Sequence, residues 1–153
     1  MAGRRARRRA HPISPLTDVA LPLLAGGLIA VSIPPWNVGS AALGLGLWLH
    51  LLRDTPRRVR VRRSALAALA WFGPTTVWMI DLTAPGWPIV LLLWAALFGA
   101  AGAVTPADRR ARWTFPAVIT LTELVRWYVP FGGVPIATIA MAEVGTPSDS
   151  VVR

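Results

Sequence analysis

Long apolar runs, nearly free of charge, alternate along this chain with three tight clusters of arginine. Arg4, Arg5, Arg7, Arg8 and Arg9 form the first cluster. Arg53, Arg57, Arg58, Arg60, Arg62 and Arg63 form the second, and Arg109, Arg110 and Arg112 the third. Only Arg126 and Arg153 fall outside them, and there is no lysine. A bilayer core about 30 Å thick is crossed by roughly 20 apolar helical residues, with a lower limit near 17. Five segments approach that length: 16–33, 36–52, 64–80, 85–104 and 113–129. Composition agrees. The 153 residues are 54% hydrophobic and 15% charged, where a water-soluble domain carries about a quarter charged residues. Cysteine is absent, which excludes disulfides, thiolate metal sites and a cysteine nucleophile within these residues.

Orientation follows from parity. With the N-terminal arginines in the cytoplasm, as the positive-inside rule requires, the uncharged turn Pro34-Pro35-Trp36-Asn37 falls outside. The second arginine cluster then lies inside. The turn from Asp81 to Trp87, which has no basic residue, lies outside, and the third cluster returns inside. The fifth span leaves the membrane near Tyr128, into a Pro-Phe-Gly-Gly-Val-Pro segment without charge. Trp36, Trp78, Trp87, Trp127 and Tyr128 sit at the expected outer ends and Trp113 at an inner end, where an amphipathic ring meets the headgroups. Trp48, Trp71 and Trp94 lie deeper, so their indole N–H groups need partners between helices. The second segment is rich in glycine (Gly39, Gly44, Gly46), which suits close packing against a neighbour.

Other classes fit less well. A basic N-terminus followed by an apolar run has the form of a secretory signal, with Ala30-Val31-Ser32 as a small-x-small site. The apolar run is longer than such a signal needs, and four more spans follow, so an uncleaved first span is expected. Arginine clusters also mark nucleic-acid binders, but here they alternate with spans, so no nucleic-acid partner is expected and anionic membrane lipids are. No His, Asp or Glu group has metal-ligand spacing, and no glycine-rich phosphate loop joins a strand to a helix. Neither a metal nor a cofactor is expected. A small transporter subunit should show internal repeats or several charges at mid-membrane depth, and neither is evident.

Charge inside a span is costly, so polar residues there carry weight. Asp18 reads as a helix-start residue near the inner surface. Asp81 reads as a solvated outer end. Glu123 and Arg126 differ, because three residues apart on one helix they share a face and can pair. A rise of about 1.5 Å per residue puts Arg126 roughly 20 Å from Trp113 along the axis, toward the outer leaflet. Two readings stay open. The pair either fixes helix packing or forms the polar floor of an outward-facing lipid site, in which the planar arginine fork would take a phosphate and Glu123 would hold that fork.

A family resemblance enters at these residues. Thr122-Glu123-Leu124-Val125-Arg126, following Phe115-Pro116-Ala117, is similar to the Pro-Ala…Thr-Glu-x-x-Arg stretch of bacterial apolipoprotein N-acyltransferases. Gly133-Val134-Pro135-Ile136 stands where that family carries Gly-Phe-Pro-Trp. Upstream, Ser32-Ile33-Pro34-Pro35-Trp36 resembles the family's first outer turn, and Trp71-Phe72-Gly73…Trp78 its Gly-Phe-Gly…Trp region. These pieces occur in the family's order, from about Leu23 to Thr146. Trp127 replaces a common glycine, and Val-Pro-Ile replaces Phe-Pro-Trp.

The resemblance implies a bacterial plasma-membrane protein. The family moves an acyl chain from a phospholipid to the N-terminal amine of the lipid-modified cysteine of lipoproteins. It does so through a thioester on an enzyme cysteine, which belongs, with a Glu and a Lys, to a nitrilase-like domain after the membrane spans. A covalent route needs a nucleophile, and neither that cysteine nor that lysine occurs in these residues. The chain is therefore expected to be an N-terminal fragment or one part of a split protein, inactive in acyl transfer alone, with no catalytic residue of its own.

The expected fold is an all-α polytopic transmembrane bundle of about five spans with a cytoplasmic N-terminus. Residues 1–15 form a basic tail, 16–129 the helical membrane domain and 130–153 an outer segment. By the resemblance, Glu123 and Arg126 would line the lipid site, Trp78 its outer mouth, and Pro135 would shape the outer loop. The phospholipid acyl donor and the lipoprotein would be its partners. The alternative is a non-catalytic membrane anchor or interaction module, for instance for a polyprenyl-phosphate mannose synthase.

Overall fold

The computed structural model describes residues 16–128 and 138–139. Among them are six α-helices and no strand. A π-helical turn, Leu16–Ala20, runs directly into α1, Leu21–Ala30. Pro22 occupies the first turn of α1, where a missing N–H costs nothing because no intrahelical partner exists there. Next come α2, Ala41–Leu52, and α3, Arg57–Thr75. A single turn, α4, Met79–Leu82, precedes α5, Gly86–Val104, and α6, Ala111–Tyr128.

The helices correspond to the five apolar segments with shifted ends. Among the described residues one helix, α5, is both long and apolar enough to cross a membrane. The first two segments are apolar but give helices of only 10 and 12 residues. The second loses its start because the chain turns through residues 31–36 and stays outside any helix over residues 37–40. The largest difference concerns the second arginine cluster. Arg57 to Arg63 are not a loop but the first two turns of α3. Arginine is a good helix former, and here its side chains reach carbonyls that the neighbouring helices leave open. Arg60 donates to Gly102 O at 3.2 Å and to Thr55 O at 2.6 Å, and Arg63 donates to Leu51 O at 2.5 Å. Leu51 and Gly102 lie in the last turns of α2 and α5, where helix carbonyls lack amide partners and cations are favoured.

α3 is the axis of the bundle, with α1 packed along one side and α5 along the other; α2 lies on α1, and α6 on α5. Close approach depends on glycine. A Cβ on Gly26 of α1 would collide with the carbonyl oxygen of Ala67 on α3. One on Gly44 of α2 would lie 2.6 Å from the Ala25 carbonyl oxygen of α1. Gly39 and Gly46 face open space, so Gly44 alone of the three glycines in the second segment serves helix packing.

The core is aromatic. Trp48, Trp71, Phe72, Trp94, Phe98 and Phe115 are all buried. Trp71 stacks on Phe72 at 4.4 Å, and Phe98 meets Trp48, Trp71 and Phe72 at 5.4 to 5.9 Å between ring centres. Trp48 donates its indole N–H to Ser64 Oγ at 3.0 Å, the interhelical partner that its depth required. Large apolar side chains also point outward, among them Leu24, Leu43, Ile89, Leu92 and Leu121, each more than half exposed.

Candidate functional site

The later part of α6 carries the most unusual group in the bundle. Val118 and Thr122 lie one turn apart, and the Thr122 hydroxyl donates to the Val118 carbonyl at 2.7 Å. That internal bond satisfies a hydroxyl that the core would otherwise strand. One turn further on, Arg126 has no exposed surface at all. Its Nη2 lies 3.2 Å from Glu123 Oε1, the i,i+3 pair expected from the spacing. Its guanidinium carbon also lies 4.9 Å from the ring centre of Phe72 on α3 and 4.9 Å from that of Trp94 on α5. A desolvated cation gains up to about 2 kcal/mol from an aromatic face. Among the described residues, a carboxylate and two π faces from three helices thus help to hold the charge.

Glu123 is fixed in turn from outside its helix. The backbone N–H of Ile139 lies 3.4 and 3.3 Å from its two carboxylate oxygens. The chain beyond α6 therefore returns to this end of the bundle, with Thr138 buried beside it. The carboxylate orients the guanidinium, and the returning backbone orients the carboxylate.

Two further donors belong to the same aromatic cluster. Trp71 and Trp94 are 0% and 2% exposed, yet neither indole N–H has a hydrogen-bond partner among the described residues. An unmet buried donor costs about 1–3 kcal/mol, and such groups are rare enough in native proteins to need a reason. Close by, Trp87 at the start of α5 donates to Thr76 Oγ1 at 3.2 Å, and Thr76 donates to the Phe72 carbonyl at 2.6 Å. This chain of bonds ties the beginning of α5 to the end of α3. The assembled chemistry is one guanidinium with buried N–H donors in an apolar surround. It can bind and orient an electronegative oxygen. Among the described residues it contains no thiol, amine or imidazole to attack a carbonyl.

The residues singled out in the sequence are distributed unevenly. Glu123 and Arg126 are brought together. Trp78 caps the start of α4, is 42% exposed, and is not among the rings over Arg126. Pro135 lies outside the described residues. Phe72 and Trp94 contact Arg126 directly, and spacing alone does not single them out. Phe72 belongs to the Trp-Phe-Gly motif and Trp94 is one of the deep indoles, so both carry a signal. What sequence spacing could not supply was their convergence from separate helices.

A second charged cluster lies at the arginine-bearing end. Asp18 is 4% exposed and accepts from Arg63 at 3.0 and 2.6 Å, with Arg62 at 2.9 Å. The helix-start residue is thus also the anchor that joins the entering chain to α3. Among the described residues no group of three or more His, Asp or Glu could hold a metal ion.

Residues 25–151 match the family model described as the apolipoprotein N-acyltransferase N-terminal domain. No curated protein matches the chain.

Proposed function

The chain belongs to the apolipoprotein N-acyltransferase N-terminal domain family, and from that premise we propose that it forms the membrane-embedded part of a lipoprotein N-acylation machinery. In this reading five segments cross the bacterial plasma membrane and the N-terminus is cytoplasmic. The outward-facing Leu24, Leu43, Ile89, Leu92 and Leu121 would meet acyl chains. The π turn and α1 together would span about 22 Å at helical rise, short enough that the bilayer must thin locally around it.

The observation that carries the reading is Arg126, fully buried between Phe72 and Trp94 and held by Glu123. Beside the pair, the buried indole N–H groups of Trp71 and Trp94 have no hydrogen-bond partner among the described residues, and a bound lipid oxygen would supply one. The end of α6 would receive the phosphate or ester oxygens of a phospholipid acyl donor. Arg126 would act as the binding group and Glu123 as its orienting partner. Trp78 would line the mouth of the site and Pro135 would shape the loop over it. The chain would supply lipid access, while the nucleophile of acyl transfer comes from residues other than these.

The test places Glu123→Gln and Arg126→Ala at the matching positions of a full-length family member. Each is expected to abolish complementation of an acylation-deficient strain at unchanged membrane abundance. Normal complementation by both variants would sink the lipid-site reading and leave the pair structural. The alternative, a non-catalytic anchor for a glycosyltransferase such as a polyprenyl-phosphate mannose synthase, is motivated by the absence of Cys and Lys among the 153 residues. Co-purification of that enzyme with this chain, together with complementation by both variants, would favour it.

A further inference from the structure

At the opposite end of the bundle from the Glu123–Arg126 pair, a cavity of about 200 Å³ opens between the end of α2 and the start of α6. It is lined by Leu49, Arg53, Arg109 and Arg112. Three exposed arginines, Arg53 after α2, Arg109 before α6 and Arg112 in its first turn, therefore border one small open space together with a single apolar residue. The turns are fixed to each other, because the backbone N–H of Asp54 donates to the Ala107 carbonyl at 2.9 Å. Asp54 itself adopts a left-handed φ of 54° to make that turn.

None of the three arginines has a carboxylate within ion-pair distance among the described residues. Asp54 and Asp108 adjoin these arginines in the sequence, yet neither carboxylate pairs with them; Asp108 accepts from the Arg110 backbone N–H at 2.9 Å, and Asp18 is paired with Arg62 and Arg63. Orientation by the positive-inside rule needs only that basic residues be present in a connection. It does not require them to share a cavity, and mutual repulsion would drive solvated arginines apart. Convergence without an acid calls for an anion, and arginine forks match phosphate oxygens.

We propose that Arg53, Arg109 and Arg112 form a binding site for the phosphate headgroup of an anionic phospholipid. The proposal rests on the membrane reading above but not on acyl transfer. Two observations favour a lipid over a soluble phosphate. Leu49 gives the cavity an apolar wall. Beside it Trp113 is 74% exposed with the Arg112 guanidinium 5.3 Å from its ring centre, the arrangement of a residue at the headgroup level. The lipid phosphate would sit among the three forks with its acyl chains descending past Leu49. Basic pockets between helices on the cytoplasmic side take anionic headgroups in this way.

The full chain is reconstituted in phosphatidylcholine, and spin-labelled phosphatidylglycerol or phosphatidylcholine is added in turn at high salt. Motionally restricted phosphatidylcholine counts the lipid boundary, so it reports membrane embedding by itself. Its absence would remove the membrane reading, whereas its presence without a phosphatidylglycerol preference would remove this proposal alone. The expected preference is about tenfold, since each basic residue near a headgroup contributes about fivefold before screening. Substituting Arg53, Arg109 and Arg112 together by Gln should abolish it. The charge-matched change of Arg57, Arg58 and Arg110 to Gln should leave it within about twofold. If the pocket variant fails to insert, Arg109→Gln alone serves, with an expected fall of about twofold against no change for Arg110→Gln alone. Equal losses in the pocket and charge-matched variants would overturn the proposal in favour of diffuse attraction. Loss of the preference when inorganic phosphate replaces chloride at equal ionic strength would also overturn it, because the occupant would then be a soluble phosphate.

Discussion

Single residues in this chain are held by partners that differ in how replaceable they are. Arg126 is the least replaceable. Lysine at that position keeps the charge but loses the planar surface that lies between Phe72 and Trp94, and an Arg-to-Lys change at a stacked site is not conservative. Arg126→Lys is expected to lower stability in detergent by about 2–4 kcal/mol, since two desolvated π contacts and a fork geometry are lost together. Thermal unfolding followed by circular dichroism checks this, and an unchanged midpoint would mean the rings do not hold the cation. The Asp18 cluster allows a sharper comparison. Arg63 is buried to 12% side-chain exposure and bonds Asp18 twice, while Arg62 is 49% exposed. Exposed ion pairs contribute up to about 1 kcal/mol, and buried charge-assisted bonds about 1.5–3 kcal/mol each. Arg63→Gln should therefore destabilise the chain at least twice as much as Arg62→Gln in the same unfolding assay. The Glu123–Arg126 pairing was legible in the sequence because i,i+3 spacing is a local property. The Arg63 bonds were not, because they span 45 positions along the chain.

Helix packing in this bundle turns on a few positions without side chains. On α1, Gly26 and Gly27 are adjacent but opposite in environment. A Cβ at Gly26 meets the Ala67 carbonyl oxygen, whereas at Gly27 nothing lies within 4 Å. Small residues let helix backbones approach inside a bilayer, while an unneeded glycine weakens a helix by about 1 kcal/mol relative to alanine. Gly26→Ala should push α1 off α3 and lower the unfolding midpoint sharply. Gly27→Ala should leave it unchanged or raise it. The reverse order, measured on the two purified variants, would remove the α1–α3 crossing from the description. The same elements show what an apolar pattern can and cannot report. Hydropathy located every helix except the single turn α4, because burial and lipid exposure select the same residues. It misplaced the ends, since hydropathy counts arginine as a break and does not register where an apolar run leaves the helix. In the chain, arginines extend α3 by grasping neighbouring carbonyls, and residues 36–40 stay outside any helix, so the second helix begins only at Ala41.

At the scale of the whole molecule the arrangement of charge is its most consequential property. The second and third arginine clusters lie at one end, joined by the Asp54–Ala107 bond and by Arg60 reaching the Gly102 carbonyl of α5. Asp18 brings the entering chain to that same end through Arg62 and Arg63. Counting crossings along the sequence puts these clusters on one side without knowledge of any contact. Which leaflet the end faces is a separate matter, decided by the cost of moving basic connections across the bilayer. Because the chain has no cysteine, each introduced thiol is read without background. Arg57 at the start of α3 and Asp81 in α4 are both exposed and stand for the two ends. With a cytoplasmic N-terminus, Arg57→Cys should resist an impermeant maleimide in intact cells and react after the membrane is opened. Asp81→Cys should react in both conditions. Labelling of the Arg57→Cys thiol in intact cells, with protection at Asp81→Cys, would invert the bundle. It would put the arginine cavity outside and the Glu123–Arg126 end inside, where a site for an outer-leaflet acyl donor could not work.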